Sequence, residues 1–513
     1  MAEYPEDPDY IKRHKDELAY IDKAAGPWTF MNDVSPLMHA SEAYTDLVGT
    51  IEASDANEAF IVTWWLNPDA ELNRDGWDLP IKDSKRQAVR FGPMVLRAVA
   101  RVRFSILVWN ILAVKPSDLT GANGLPHGDF LDRASIPDFG NTNAVLKLGE
   151  DLRGKDANSD LRLVANAADV AGSHHQKFWV VRRDKRLTAW AGGVNFEQLD
   201  WDDEAHEILN PRRNPETMEG KDRKAQFDKG DYPAFLSRHD WMIRVDGHAA
   251  HALLDEFFTR WDDTKQAPPK KVLPDPSDVK QSGTMFVQVS RNGTSDSVPR
   301  QIQTAYLAAI KNATKYMYFE NQYWTNDALT TAVIDRCAES RAYVIIVMPP
   351  APEETGLLGD LIRGEQAYQL NRMYRAIGPN KLLLYSLFQK HPDRDDYRGL
   401  YVHAKLGIID DCWLTVGSAN MTNRSMILDS ETNIQLAHRD VVTEMRKRVW
   451  TEILGGNEGE AEWDLAIEQG FRKIGIQNED RKRQGKAMKG FVIPNRLDEV
   501  RGDRPPADLR KYL

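Results

Sequence analysis

His403 and Lys405 stand two residues apart in the run YVHAKLGIIDDCWLTVGSAN, and His175 and Lys177 repeat that spacing in SHHQKFWVVRRDKRLTAWAGGVN. On an extended chain residues i and i+2 share a face, so each pair presents an imidazole and an ammonium side by side. His174 points to the opposite face. Each run continues through an apolar hairpin and ends on an amide: Gly193 precedes Asn195 in one, and Ser418 precedes Asn420 in the other. This inventory suits displacement at a phosphodiester. Negative charge grows on the equatorial oxygens in the transition state, and two ammoniums and two amides meet it without a metal. One imidazole must be neutral to attack phosphorus, and the other must be protonated to release the alcohol. The copies are near-symmetric, so either histidine can take either role. A single His or Lys on a strand is ordinarily a packing or surface residue. Two pairs with matched Gly/Asn tails weigh against that reading.

The second copy places Asp410 seven residues after His403. The first has Arg182 at that point, and its hairpin is three residues longer, which leaves Asp184 as the nearest acid. The pattern resembles the phospholipase D superfamily, whose H-x-K-x4-D motif occurs twice and is followed by G-[GS]-x-N. Residues 238–263 (RHDWMIRVDGHAAHALLDEFFTRWDD), 319–324 (FENQYW) and 423–434 (NRSMILDSETNI) are similar to the flanking segments of phospholipases D proper, so the resemblance covers roughly residues 50–450. It implies a phosphohistidine on His175, with His403 as general acid and then base. It implies that Asp240 and Glu431 orient the imidazoles across the halves, Glu431 on His175 and Asp240 on His403, with Asp429 the rival of Glu431. Asp184 and Asp410 join the catalytic set by the same resemblance. Gly193, Ser418, Gln322 and Glu320 are candidates for substrate contact, with strand-end packing the alternative for Glu320 and Gln322.

These groups need a frame. Residues 60–66 (FIVTWWL) and 104–113 (FSILVWNILA) read as strands flanking a helix near 85–101. Helices near 298–312 and 327–340 alternate with strands at 316–323 and 342–348. Alternation of this kind predicts parallel α/β sheets. The repeated order predicts two homologous α/β halves with mixed, mostly parallel sheets, packed as a pseudo-twofold phospholipase D fold around one site. Residues 263–283, rich in Pro, Lys and Asp, read as a linker. The division is then 1–50 as an N-terminal extension, 51–262 as the first half, 263–283 as linker, 284–455 as the second half and 456–513 as a C-terminal extension.

A net charge of −10 argues against a protein that gains affinity from non-specific phosphate-backbone contacts, so no nucleic-acid partner is expected. Two cysteines exclude a disulfide scaffold and a cysteine-based zinc site. No metal-ligand spacing is visible, so neither metal nor cofactor is expected. The first ten residues lack the apolar core of a signal peptide, and no apolar run is long enough to span a bilayer. The expectation is a monomer working on phospholipid at a membrane surface, cytoplasmic or exported without a cleaved signal. Trp64, Trp65, Trp179, Trp190, Trp201, Trp241 and Trp324 cluster near the motifs, as side chains suited to a membrane–water interface do. The Trp64–Trp65 pair taken alone reads as core. Phospholipase D activity, by hydrolysis or transphosphatidylation, is the reading implied. A phosphatidyltransferase of cardiolipin-synthase type, a superfamily nuclease or phosphodiesterase, and a silent lipid-binding scaffold are its rivals. The polar stretch 199–236 follows Asn195 and reads as a lid or head-group loop, or as a surface insertion without a role.

Overall fold

The structure, a computed structural model, describes residues 4–75, 87–109, 141–164, 172–197, 199–208, 210, 237–262, 264, 273–293, 300–352, 356–392, 395–495, 504–507, 509–510 and 513. Most of the expected loop 199–236, the end of the strand expected at 104–113 and residues 263 and 265–272 of the linker lie outside the described residues.

The first half is built from β1 (Trp28–Met38), α1 (His39–Glu52), β2 (Ala56–Thr63), α2 (Phe91–Ala98), β3 (Arg103–Trp109), α3 (Asn141–Lys155), β4 (Asp160–Val164), β5 (Phe178–Arg183), β6 (Arg186–Gly192), β7 (Trp241–Asp246) and α4 (His248–Asp262). The second repeats it with β8 (Met285–Asn292), α5 (Gln301–Asn312), β9 (Tyr316–Glu320), α6 (Asp327–Ser340), β10 (Tyr343–Val347), α7 (Gly356–Ile377), β11 (Leu382–Lys390), β12 (Tyr397–Val402), β13 (Leu406–Ile409), β14 (Trp413–Gly417), β15 (Glu431–Ala437) and α8 (Arg439–Leu454).

The sheet of the first half runs β1–β7–β6–β5–β2–β3–β4. That of the second runs β8–β15–β14–β13–β9–β10–β11. In both, the last three strands are parallel and the other neighbours antiparallel. The sheets are therefore mixed, as expected: within each, the parallel pairs are those of the strands that helices connect, and the motif hairpins and the strands after them pair antiparallel, while β12 also pairs in parallel with residues 238–239 of the first half. β1 also pairs with β8, Trp28 opposite Gln288, which joins the two sheets. The first sheet thus draws its outer strand from residues 28–38, inside the stretch that sequence reading set apart as an extension. Past residue 455 a short strand, Val492–Pro494, pairs with β11.

The strands read as unbroken apolar runs because they are buried on both faces. On β5, Phe178 and Val180 face a central core shared by both halves, and Trp179 and Val181 face the core under α1 to α3. On β9, Tyr316 and Tyr318 face the centre while Met317 and Phe319 face α5 and α6. α4 and α8 contribute Phe257, Trp261, Val449 and Trp450 to the same central core. Successive residues on β5 or β13 therefore serve opposite layers, and these strands hold the site in place.

The tips of the two motif hairpins carry Asp184 and Asp410, both with left-handed backbone at φ 52° and 57°. Their carboxylates differ. Asp410 is 1% exposed and accepts from the backbone N–H groups of Thr314, Lys315 and Tyr316 and from the Tyr20 and Thr314 hydroxyls, at 2.6–2.9 Å. Asp184 is exposed, and its carboxylate has no partner among the described residues. Arg182, which occupies the motif position, pairs with Glu58 on the neighbouring strand at 3.1 Å. We predict that Asp410→Asn destabilises the fold by about 3 kcal/mol, because one amide oxygen replaces two carboxylate oxygens above three buried N–H groups. Asp184→Asn keeps the left-handed backbone and changes stability by less than about 0.5 kcal/mol. Urea midpoints of the two variants measure the contrast, and equal midpoints would refute it.

Candidate active site

His175 and Lys177 lie just before β5, and His403 and Lys405 just before β13. Each motif is held open by a strand segment of the other half. The His175 N–H donates to the Ser430 carbonyl at 3.0 Å, and the His403 N–H donates to the His239 carbonyl at 2.9 Å. The next residue on each of those segments is an acid. Glu431 Oε1 lies 2.8 Å from His175 Nδ1, and Asp240 Oδ2 lies 2.7 Å from His403 Nδ1. The crossed pairs are pseudo-equivalent in backbone and side chain alike. Asp429 is occupied elsewhere: it caps the Ser173 N–H at 2.6 Å and pairs with Arg424 at 2.9 Å.

Lys177 Nζ donates to the His175 carbonyl at 2.8 Å, and Lys405 Nζ to the His403 carbonyl and to Gln322 Oε1 at 3.3 Å. Gln322 in turn donates to the Tyr401 hydroxyl at 2.8 Å. Both ammoniums are buried, and desolvation lowers them, Lys177 to about 7 and Lys405 to about 8. Burial, and then the charge of the lysine in the same motif, hold both His175 and His403 well below the ordinary imidazole value. Each histidine also feels the lysine of the other half, so the four groups share one electrostatic site. Burial raises Glu431 to about 7, opposed by Lys177 and by the Ser418 hydroxyl.

Asn195 is fixed by Asp200, whose Oδ2 accepts from both its backbone and side-chain N–H groups at 2.8 Å. Its Oδ1 accepts from the Trp65 N–H at 3.2 Å. Asn420 is 7% exposed, and its buried Oδ1 has no hydrogen-bond partner among the described residues. Gly193 and Ser418 serve the orienting carboxylates. A Cβ at Gly193 would stand 2.3 Å from Asp240 Oδ1, and Ser418 Oγ donates to Glu431 Oε2 at 2.5 Å. Glu320 lies deeper. It is 0% exposed and accepts from His239 and Trp241 at 2.9 Å and from the Tyr318 hydroxyl at 2.5 Å, so it faces the interior rather than a substrate.

The structure thus brings together His175, Lys177, Asn195, Asp240, His403, Lys405, Asn420, Glu431, Gly193, Ser418 and Gln322, and leaves Asp184 and Asp410 at the hairpin tips. It corrects the reading of the tryptophans. Trp179, Trp190, Trp201, Trp241 and Trp324 are buried in the cores. Trp64 lies beside the site, with its ring 5.4 Å from that of His175 and 5.5 Å from Lys177 Nζ, and it stacks on Trp109, while half-buried Trp65 adjoins it through the N–H that reaches Asn195. Asp200 was missed, because nothing in its spacing marks it as the partner of Asn195. Spacing along the sequence shows no metal-ligand group, but His39, His206, His239 and Glu452 converge from four distant segments, with one ligand atom of each within 4.8 Å of the others.

The crossed His–carboxylate pairs over two buried lysines match the duplicated motif in three dimensions. The family model described as cardiolipin synthase, PLD-like domain matches residues 306–452. Phospholipase D A of Dictyostelium discoideum is 24% identical over 465 residues, 78% of this chain and 34% of that protein. The chain belongs to the phospholipase D superfamily. Phospholipase D alpha 4 of Arabidopsis thaliana is 24% identical over 553 residues, 86% of this chain and 68% of that one, and a cardiolipin synthase of Staphylococcus aureus is 25% identical over 211 residues, 40% and 38%. The chain spans about a third of the length of the Dictyostelium relative and about two thirds of the Arabidopsis one. The crystal structure of phosphatidylserine synthase from Haemophilus influenzae Rd KW20 shares the fold, with a TM-score of 0.51 over 95% of this chain and 93% of that one, at 10% identity. Among the described residues no helix is long and apolar enough to cross a membrane.

The shifted groups predict a pH profile. In the role that the motif resemblance implies for it, Glu431 must be ionised to hold His175 Nδ1, and it is protonated as the pH falls below about 7. Lys177, in the role that the same resemblance implies for it, must be charged, and it loses its proton as the pH rises above about 7. We predict a narrow, bell-shaped dependence of kcat/KM for the free enzyme, centred near neutrality. In Lys177→Arg the guanidinium stays charged, so the alkaline limb moves up towards the Lys405 value of about 8. An alkaline limb unchanged in that variant would refute the assignment.

Proposed function

We propose that the chain is a phospholipase D-type phosphodiesterase acting on phospholipid head groups at a membrane surface, through a phosphohistidine. The observation that carries this is the crossed pairing of His175 with Glu431 and of His403 with Asp240 above Lys177 and Lys405. A carboxylate at Nδ1 fixes the tautomer that leaves Nε2 facing the site, as the third member of a catalytic triad does. Neutral His175 attacks phosphorus through Nε2, and the N–P bond forms as the P–O bond to the head-group alcohol breaks. His403, protonated once the phosphate anion lies between the lysines, gives its proton to that alcohol. It then takes a proton from water, whose oxygen attacks phosphorus and frees His175. Lys177, Lys405 and the two asparagines meet the charge on the non-bridging oxygens.

An alcohol in place of water gives transfer instead of hydrolysis. The match of residues 306–452 to a cardiolipin-synthase family model supports that second reading. Phosphatidylcholine vesicles with and without ethanol test both. Release of choline with phosphatidic acid supports the hydrolase. Phosphatidylethanol formed to the near exclusion of phosphatidic acid favours the transferase. Release of neither, with a soluble bis-nitrophenyl phosphate still cleaved, overturns the lipid substrate.

A further inference from the structure

Behind Asp240, away from the histidines of the motifs, three more histidines and a glutamate meet. His39 opens α1, His206 lies in the segment after Asn195, His239 immediately precedes Asp240, and Glu452 sits near the end of α8 in the second half. One nitrogen or oxygen from each lies within 4.8 Å of all the others. His39 Nε2 and His206 Nε2 are 2.7 and 2.9 Å from Glu452 Oε1, and His239 Nδ1 is 3.5 Å from it. A tetrahedral zinc ion with bonds of about 2.0–2.1 Å has ligand–ligand edges of about 3.3 Å, so these spacings need only small adjustments. The histidines are at most 1% exposed and the Glu452 side chain 7%.

The far sides of two rings complete the pattern. His206 Nδ1 faces Asp202 Oδ2 and His239 Nε2 faces Glu320 Oε2, each at 2.9 Å. A metal-bound imidazole characteristically gives its other N–H to a carboxylate. Without a cation, both nitrogens of His206 and of His239 point at carboxylate oxygens, and each ring needs two protons. Among the described residues, buried His239 Nδ1 and Glu452 Oε2 make no hydrogen bond. A dication supplies the two positive charges that those extra protons would bring to three buried carboxylates, and it gives His239 Nδ1 a partner.

We propose that His39, His206, His239 and Glu452 bind one divalent transition-metal ion, zinc by ligand chemistry, as a closed structural site that ties the two halves together. Three imidazoles and one carboxylate suit zinc and not magnesium or calcium, which take oxygen ligands. Four protein ligands leave no open position for water or substrate, so the ion takes no part in phosphoryl transfer. It braces the site instead. The His39 N–H donates to the Asp240 carbonyl at 2.9 Å, and the His239 carbonyl accepts from the N–H groups of His403 and Ala404 at 2.9 and 3.0 Å.

Elemental analysis of the full chain, dialysed against metal-free buffer, is the test. One equivalent of zinc per chain is expected, and Glu452→Gln or His39→Gln should weaken retention at least about ten-fold. A second measurement guards against variants that do not fold: the wild-type chain is stripped with a strong chelator and titrated with Zn2+ and with Co2+. Stoichiometric uptake, a raised Tm and the intense visible bands of tetrahedral cobalt support the proposal. Failure of the stripped, folded wild type to take up either ion overturns it, as does a folded Glu452→Gln chain that keeps its zinc undiminished. Neither result depends on which phosphodiester the enzyme cleaves.

Discussion

His403→Asn should stop turnover, lowering kcat by at least about 10⁴-fold, and still leave a phosphoryl group on His175 when the substrate carries a nitrophenol leaving group. Nitrophenolate departs without a proton, so losing the general acid does not block attack by His175. Hydrolysis of the intermediate needs a base to deprotonate water, and that base is His403 in the proposed cycle. The intermediate therefore accumulates after one turnover, with a burst of nitrophenolate equal to the enzyme. Mass spectrometry should find an acid-labile adduct on the peptide holding His175. In His175→Asn neither burst nor adduct is expected. An adduct on His403 in that variant would reverse the two roles, which the near-symmetric motifs alone leave open. No burst in either variant would remove the covalent intermediate.

The two His/Lys pairs were legible in the sequence because they sit in short local patterns. H-x-K and the Gly/Asn tails need only the alternation of an extended chain and the turn that follows it. The strands were legible where both faces are apolar, as in β2, β5, β9 and β10. What escaped is long-range. β1 reads as a mixed run, WTFMNDVSPLM, because half of it borders β7 and half borders β8, and no local period records that division. The tryptophans misled because abundance near a motif does not reveal which layer a ring enters. Trp179 follows Phe178 on one strand, and the two face different cores. Asp184 misled for a related reason. It sits at the tip like Asp410, but Arg182 and Glu58 bind that edge of the first sheet in its place. The His39, His206, His239 and Glu452 cluster has no local signature, since each ligand comes from a separate segment.

The two orienting carboxylates look equivalent, but removing their charge should have unequal effects. Asp240 Oδ1 accepts from the backbone N–H of Trp241 at 2.8 Å, and Oδ2 faces His403 Nδ1. In Asp240→Asn the fixed Trp241 N–H selects the carbonyl oxygen, which turns the amide NH2 towards His403. That donor forces Nδ1 to accept and moves the ring proton to Nε2. The neutral ring is then a poor acid and has no lone pair at Nε2 with which to act as base. The partner in the first half is more tolerant. Glu431 Oε2 faces the Ser418 hydroxyl, which also accepts from the Thr432 N–H at 3.0 Å and lies 3.4 Å from the Thr432 carbonyl. A hydroxyl can reverse. In Glu431→Gln the amide NH2 can donate to Ser418 Oγ, whose own O–H swings to the Thr432 carbonyl, and the Gln oxygen stays on His175 Nδ1. We predict that Asp240→Asn lowers kcat by about 10³–10⁴-fold through the wrong tautomer, and that Glu431→Gln lowers it at least about ten-fold less. Glu431→Ala removes the acceptor altogether and should approach the Asp240→Asn loss. Steady-state kinetics on a soluble nitrophenyl phosphodiester, with circular dichroism to confirm folding, measures all three. Equal losses in Asp240→Asn and Glu431→Gln would show that carboxylate charge, and not the tautomer it selects, is what each histidine needs.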